Sequence, residues 1–367
     1  MKKVLAVLLA SMMVLGLAAC GDKKEETKAP ETKAETKAPE TKAPETKAET
    51  EAAETKAEGG ETQAPAEGAK GGDVNGDGKI IVGYISKNLT DPFHGPINTY
   101  AKERINGLVE DGTIDEWTDV LDGQTIADIQ INCANDCITK GCDYVFIAPC
   151  EASASDPAVV QMAEAGIKVI VFNSKTDSTD DVAFLYSGSD DVQAGEIMAN
   201  WVVENCPEGG KYVHCMGIIG NSAQIQRGEG IENVMKDHPE FEKTSDEDTQ
   251  WDGAKAATAA ENALAQYGDE LVAVICDNDD MSSAAQNAVN SAGRSDIICV
   301  GVDGNEQPLK MVKAGDLKAT VLQDGVGQLE AGIAAMVDDI NGKAPAQKEI
   351  MIDFVLVTAE NVDEYLK

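Results

Sequence analysis

Residue types that bind small molecules follow short apolar runs in this chain. Asp91, Phe93 and His94 stand together in LTDPFHG, residues 89–95, two residues after the run KIIVGYIS. Five further runs are followed in the same way by Asn173 after VIVF, Asn221 after GIIG, Asn278 after VICD, Asp303 after ICVGV and Gln323 after KATVL. Carboxylates and amides hydrogen-bond to hydroxyl groups, and an aromatic ring offers an apolar face. The combination is typical of a site for a neutral, hydroxyl-rich ligand.

The apolar runs predict strands that alternate with amphipathic helices from Lys79 onward. The predicted strands are 80–85, 144–148, 168–172, 183–187, 212–219, 272–276, 297–302 and 319–323. The predicted helices include 96–109, 126–140, 192–205, 253–266, 281–292 and 326–340. This alternation predicts an α/β fold with parallel sheets and right-handed crossovers, and the length suits two such sheets. In open parallel sheets ligands bind beyond the carboxyl ends of the strands, where the polar residues stand.

Composition and motifs exclude several classes of ligand. The net charge of −35 argues against nucleic acid, whose phosphates require Lys and Arg. No phosphate loop and no dinucleotide-type Gly-rich turn follows a strand, so we expect no cofactor and no metal at the site. The segment DVNGDGKI, 73–80, imitates the first half of a calcium loop, but position 12 is Tyr84 rather than Glu. A turn that leads into the first strand and a calcium loop remain alternatives there.

The region from Lys79 to Lys367 resembles the periplasmic sugar-binding proteins of the ribose and galactose/glucose type, the solute receptors of ABC importers. The markers are TDPFHG, FNS, RGEG (227–230), QWDGAKA, CDNDDM, VGVDGNEQ and ATVLQDG. Each is short, but their order and spacing extend over nearly the whole region. The resemblance implies two Rossmann-like lobes with parallel sheets, joined by a three-strand hinge, with the ligand in the cleft between them.

The resemblance also implies a set of ligand-binding residues: Asp91, Phe93, His94, Asn173, Asn221, Arg227, Trp251, Asn278, Asp303 and Gln323. A pyranose has two apolar faces, which Phe93 and Trp251 would sandwich, and a rim of hydroxyls. Asp91 and Asp303 would accept from those hydroxyls, and Arg227 would donate to a hydroxyl and the ring oxygen.

Some positions depart from the family pattern. His94 replaces an apolar or aromatic residue, and Ser174 stands where relatives place Arg or Lys. Asn221 and Ala223 stand where the galactose/glucose branch places His and Asp. Xylose, ribose, galactose, glucose, inositol and a furanose-type signal molecule therefore remain open as ligands.

Each site residue also has an ordinary structural explanation. An Asp or Asn after a strand is often a helix N-cap. Phe93 could belong to the core, Trp251 could cover a seam between domains, and Arg227 could pair with Glu229 at the surface.

The N-terminal residues predict export and anchoring. MKK precedes an apolar run that ends in Leu17-Ala18-Ala19-Cys20, which resembles a bacterial lipobox with Cys20 as the lipidated residue. An ordinary secretion signal with a chance cysteine is the alternative. Two or more acyl chains hold a protein stably at a membrane.

The domain organisation follows from these segments. Residues 1–20 are predicted to be the signal peptide, and 21–78, rich in Glu-Thr-Lys-Ala units, are predicted to form a low-complexity disordered tether. The N-terminal lobe is expected at 79–189 plus 325–350, and the C-terminal lobe at 190–324 plus 351–367. The eight cysteines after Cys20 match no zinc spacing and are interpreted as small buried residues rather than a redox site.

We therefore expect a monomeric, lipid-anchored, extracytoplasmic receptor that captures a monosaccharide and delivers it to an ABC permease, without catalysis. A receptor of the same fold that signals to a sensor kinase or chemoreceptor is the alternative. A glycosidase using Asp91 and Asp303 is a further alternative, although nothing suggests an acid of tuned pKa. A transcription regulator of this fold would need a helix-turn-helix where the signal peptide and tether stand.

Overall fold

The computed structural model describes residues 72–366. The predicted signal peptide, its lipidation residue Cys20 and the tether up to residue 71 lie outside the described residues. Residues 72–78, which sequence analysis included in the disordered tether, form a defined turn instead. Asp143 accepts hydrogen bonds from the backbone nitrogens of Val74 and Ile81, both at 2.8 Å, and so holds this turn against the first strand.

Polar side chains of that turn accept hydrogen bonds from backbone nitrogens. Asp73 accepts from the nitrogens of Gly76 at 2.7 Å and Gly78 at 2.9 Å, and Asn75 accepts from the nitrogen of Asp77 at 2.9 Å. Such side chain–backbone bonds stabilise a turn.

Strands and helices alternate along the described chain. The strands are β1 (Ile81–Ser86), β2 (Glu116–Asp122), β3 (Tyr144–Ile147), β4 (Lys168–Phe172), β5 (Leu185–Gly188), β6 (Gly210–Met216), β7 (Phe241–Asp248), β8 (Leu271–Cys276), β9 (Ile298–Val300), β10 (Val302–Asp303), β11 (Ala319–Leu322), β12 (Glu349–Met351) and β13 (Val355–Thr358). The helices are α1 (His94–Glu110), α2 (Ala127–Lys140), α3 (Asp156–Glu164), α4 (Thr179–Val182), α5 (Asp191–Asn205), α6 (Ser222–Met235), α7 (Gly253–Tyr267), α8 (Asp279–Ser291), α9 (Glu306–Ala314) and α10 (Gly325–Ile340).

Six strands form a parallel sheet in the order β12-β5-β4-β3-β1-β2. Its central strands are apolar on both faces, as parallel strands covered by helices must be. Helices α1 and α10 pack on one face and α2 and α3 on the other. We call this sheet with its helices the first lobe.

The second lobe has a four-stranded parallel sheet, β7-β6-β8-β9, and a small three-stranded sheet, β10-β11-β13. Helices α5 and α6 cover one face and α7, α8 and α9 the other. In the small sheet β11 pairs parallel with β10 and antiparallel with β13. The predicted parallel sheets are therefore confirmed, and the structure adds a third, mixed sheet.

The chain crosses between the lobes three times. It leaves the first lobe between β5 and α5, returns between β11 and α10, and leaves again between β12 and β13. Three such segments provide the hinge that the sequence predicted.

Two further features concern the described part of the chain as a whole. All eight cysteines in residues 72–366 are free, and every one except Cys206 is buried. Among the same residues, no helix has both the length and the apolar composition that a membrane crossing requires.

Candidate ligand-binding site

A cavity of about 640 Å³ lies between the lobes, at the carboxyl ends of their strands. All ten predicted site residues line it: Asp91, Phe93, His94, Asn173, Asn221, Arg227, Trp251, Asn278, Asp303 and Gln323. Residues more than 200 positions apart in the sequence meet here because both sheets direct their carboxyl ends at the same space.

The turn after β1 supplies a carboxylate with fixed partners. Asp91 accepts from the His94 backbone nitrogen at 2.5 Å, from His94 Nδ1 at 2.9 Å and from the Asn88 side chain. Burial alone would raise the pKa of Asp91, but the charge and hydrogen bonds of His94 lower it overall. Asp91 is therefore held as a carboxylate beside the half-buried Phe93 ring.

Lys87, the residue directly after β1, faces the same cavity. Its side chain is only 6% exposed, and its ammonium lies 5.1 Å from the centroid of the Trp251 ring in the other lobe. Within residues 72–366 this ammonium has no hydrogen bond or ion pair. Burial lowers the pKa of Lys87 despite the opposing charges of Asp91 and Asp303.

Arg227, on α6, forms hydrogen bonds or ion pairs with three residues. It forms an ion pair at 2.8 Å with Asp191 at the start of α5, and its Nη2 donates to Gln323 Oε1 at 3.0 Å. Nη1 donates to the Asp277 carbonyl. The alternative that Arg227 pairs with Glu229 at the surface is therefore wrong. Arg227 joins the second lobe to the hinge residue Gln323 and also lies 6.0 Å from the Trp251 ring centroid.

Trp251 follows β7 and its ring rests on the backbone of Gly217. A Cβ at position 217 would lie 2.1 Å from the indole, so only glycine allows this position of the ring. The ring packs against the core of the second lobe, while its Nε1 is buried without a hydrogen-bond partner in the described structure.

Asp303 ends β10 and is buried beside a second acid. Asn305 Nδ2 donates to it at 3.0 Å, and the neighbouring Asp279 accepts from Thr320 Oγ1 at 2.6 Å. Burial raises the pKa of Asp303 well above its ordinary value, and the charge of Asp279 adds to the effect. A protonated Asp303 both donates to and accepts from hydroxyls, which widens the hydroxyl geometries it can bind.

Asn221 and Asn278 combine two roles. Each caps a helix: Asn221 accepts from the nitrogen of Ala223 at 3.0 Å, and Asn278 from that of Met281 at 3.1 Å. Asn221 Nδ2 also donates to the Cys150 carbonyl of the first lobe at 2.9 Å. The structural explanation as an N-cap therefore applies to both residues, and Asn221 in addition links the two lobes.

Backbone strain is concentrated around the cavity. Seven non-glycine residues in the described chain have positive φ, and five of them line the cavity: Thr125 (57°), Asn173 (67°), Gln250 (55°), Trp251 (63°) and Asp303 (146°). Each such residue costs about 1–3 kcal/mol and persists where the surroundings impose it, often at functional sites.

Sequence analysis missed several lining residues, namely Lys87, Asn88, Thr125, Gln250, Asp280 and Asn305. Lys87 was within reach of the strand-end argument, since it directly follows β1. It was missed because the expected ligand was neutral and rich in hydroxyls, which a lysine does not indicate.

The sequence profile described as "periplasmic binding protein domain" matches residues 82–344 of the chain. The chain belongs to the periplasmic binding proteins. This family membership confirms the resemblance and implies an extracytoplasmic location. Its relatives are binding and import proteins, so this periplasmic binding protein is not an enzyme.

Two curated relatives illustrate the family. The ribose import binding protein of Bacillus subtilis is 30% identical over 241 residues, which are 65% of this chain and 76% of that protein. The xylitol-binding protein of Mycolicibacterium smegmatis is 29% identical over 226 residues, 62% of this chain and 64% of that protein. The matched part thus spans slightly less than two thirds of the second relative.

Solved structures show the same fold. An ABC transporter solute binding protein of Bacillus halodurans, solved with myo-inositol, is 28% identical with a TM-score of 0.72, covering 78% of this chain and 97% of that one. The Caulobacter myo-inositol binding protein is 27% identical with a TM-score of 0.71, covering 78% and 95%. The predicted fold of two Rossmann-like lobes, the type I periplasmic binding protein fold, is therefore confirmed.

Proposed function

We propose that this periplasmic binding protein captures a monosaccharide or a related polyol in the interlobe cavity and delivers it to an ABC permease. The observation that carries the proposal is the composition of that cavity. Carboxylates and aromatic rings reach it from both lobes, with Asp91 and Phe93 on one side and Asp303 and Trp251 on the other.

The chemistry of these groups suits a sugar. Phe93 and Trp251 offer apolar surface to the ring carbons, and such aromatic contacts contribute on the order of 1 kcal/mol each. Asp91, Asn173, Asn278 and Asp303 bind hydroxyls. A ligand that left one of these buried groups unpaired would lose about 1–3 kcal/mol, which is the source of discrimination between sugars.

Capture would proceed by closure of the two lobes about the hinge. The ligand contacts both lobes only when they are closed, so its binding energy favours the closed form. We propose that this form docks on the permease while Cys20, lipid-modified, and the tether up to residue 71 hold the monomer near the membrane. The lobes are proposed at 79–189 plus 325–350 and 190–324 plus 351–367.

Calorimetry against a panel of pentoses, hexoses and polyols tests the proposal. We expect one or more of them to bind with a dissociation constant near 1 μM, about −8 kcal/mol. The absence of heat with every member of the panel would contradict carbohydrate binding. Recovery of the sugar unchanged after incubation is expected as well.

A further inference from the structure

Three residues that line the cavity each have a buried nitrogen that makes no hydrogen bond within the described chain. Within residues 72–366, the buried nitrogens Trp251 Nε1, Gln323 Nε2 and His94 Nε2 have no hydrogen-bond partner. Gln323 Oε1 accepts from Arg227, which fixes the amide so that its Nε2 is left to donate. An indole N–H and an amide NH₂ donate only. Trp251 and Gln323 therefore each leave a donor, not an acceptor, without a partner in the described structure.

Lys87 is a further donor at the cavity, and its ammonium carries a positive charge. Its ammonium is a donor with three hydrogens, the residue is only 6% exposed, and no carboxylate of the described chain lies within ion-pair distance of it. Removing an ammonium from water without a compensating partner is costly. The nearest acids are committed elsewhere, since Asp91 accepts from Asn88 and His94, and Asp303 accepts from Asn305.

The position of Lys87 connects it to the other donors. Its ammonium and the Arg227 guanidinium both lie near the Trp251 ring, at 5.1 and 6.0 Å from the centroid, and Arg227 is bonded to Gln323. Arg227 is neutralised by Asp191 at 2.8 Å, whereas Lys87 is not neutralised by contact with any described residue. The positive charge that a ligand would meet is therefore that of Lys87.

We propose that the ligand is a sugar acid, such as a uronic or aldonic acid, whose carboxylate faces Lys87 while its hydroxyls meet Asp303, Asn173 and Asn278. This inference rests on the proposed function and narrows its ligand class. A carboxylate only accepts, it has two oxygens for several donors, and its charge-assisted bond to an ammonium is stronger than a neutral one. A hydroxyl also accepts from Lys87 but leaves its charge uncompensated.

The test compares matched acid and neutral sugars by calorimetry on the wild-type protein and Lys87→Met. The probes are D-glucuronate, D-galacturonate and D-gluconate against D-glucose, D-galactose and D-glucitol. We expect the wild type to bind at least one acid tenfold or more tightly than its neutral counterpart. Lys87→Met should lose that preference, and Lys102→Met, which removes an exposed lysine paired with Asp119, should retain it.

The melting temperature of the variant separates ligand binding from a structural role. If Lys87 awaits a ligand, the ligand-free Lys87→Met protein should be at least as stable as the wild type, because an unpaired buried charge has been removed. A clear loss of stability would overturn the inference, as Lys87 would then serve to hold Trp251. Binding of neutral sugars only, or an acid preference that survives in Lys87→Met, would also overturn it while leaving the proposed function intact. Failure of every acid and neutral probe to bind would overturn the inference, and the absence of heat with the whole panel of pentoses, hexoses and polyols would overturn the proposed function as well.

Discussion

Trp251 contacts both the cavity and the core of the second lobe, so its two roles are separable by mutation. We expect Trp251→Ala to reduce sugar affinity below detection in calorimetry, because the apolar face and the indole N–H are both removed. The melting temperature should change little, since the ring is only partly buried.

Trp201, on α5, provides the opposite control. It packs partly buried against the other face of the same sheet and does not line the cavity. Trp201→Ala should lower the melting temperature while sugar affinity persists. If instead Trp251→Ala unfolds the protein, Trp251 is a core residue and its assignment to ligand binding fails.

His214 lies beneath the site, and its protonation contributes to the stability of the fold. Its two ring nitrogens contact Asp246 at 2.9 Å and Asp277 at 2.8 Å, and Asp277 also accepts from the Gly217 nitrogen at 2.8 Å under the Trp251 ring. Burial would lower the pKa of His214, but the two acids raise it to about 10. The folded protein therefore holds His214 protonated at neutral pH.

The pH dependence of unfolding follows from that shift. Because the folded pKa lies above the unfolded value of about 6.5, the contribution of His214 to stability is complete below pH 6.5. It should decline as pH rises from 6.5 and vanish above about 10. Urea midpoints of the wild type and His214→Gln, measured from pH 6 to 10, should converge with rising pH. A difference that stays constant over that range would contradict the assignment.

The residues that line the cavity were largely predictable from the sequence, but the hydrogen bonds that they make with the rest of the protein were not. Asp91, Asp303 and Gln323 could be selected because polar residues at strand ends of a parallel sheet must meet at one edge. The Asn221 side chain, for example, caps a helix and also donates to the Cys150 carbonyl. The second bond depends on how the lobes face each other, and no local sequence pattern indicates that.

At the scale of elements, α5 and α6 approach each other closely in the second lobe. A Cβ on Gly195 would lie 2.1 Å from the Arg227 carbonyl oxygen, and a Cβ on Gly230 would lie 2.1 Å from that of Val192. The two glycines let the helix backbones touch, and this contact positions Arg227 beside Asp191.

Gly230→Ala should therefore destabilise the protein by about 1–3 kcal/mol, the usual cost of overpacking, and weaken ligand binding by displacing Arg227. Urea unfolding and calorimetry measure the two effects. Gly228→Ala lies on the same helix, where the nearest atom to the new Cβ is 3.6 Å away. There the helix-favouring effect of alanine should stabilise by about 0.5–1 kcal/mol. Equal effects of the two substitutions would contradict the proposed helix contact.

Two of the strands that sequence analysis missed, β2 and β7, have the same physical cause. Strands β2 and β7 lie at sheet edges and are mostly polar and partly exposed, as in FEKTSDED, so they lack the apolar runs that marked the central strands. The eight predicted strands, such as Lys168–Phe172, were found with bounds shifted by up to three residues because buried parallel strands are continuously apolar.

At the scale of the whole molecule, the lobes contact each other directly on one side of the cavity. The Ala152 nitrogen donates to the Gly220 carbonyl, and the Lys175 nitrogen donates to Ser222 Oγ, both at 2.8 Å. Together with the Asn221–Cys150 bond they bridge the two lobes, so the proposed opening of the lobes would break them. The observed affinity of a ligand scales with the population of the binding-competent form, so these contacts enter the affinity without touching the ligand.

Ser222→Ala isolates this contribution, because it deletes an acceptor that Lys175 uses only in the closed form. Its loss should weaken ligand binding two- to tenfold, in keeping with about 0.5–1.5 kcal/mol for one hydrogen bond, while ligand-free stability stays nearly unchanged. Small-angle scattering of the ligand-free variant should show a larger mean radius of gyration than the wild type. Ser291→Ala removes a hydroxyl bonded to the Asn287 carbonyl within its own helix and should change neither quantity. An unchanged affinity in Ser222→Ala would mean that the ligand alone, and not contact between the lobes, sets the closing equilibrium.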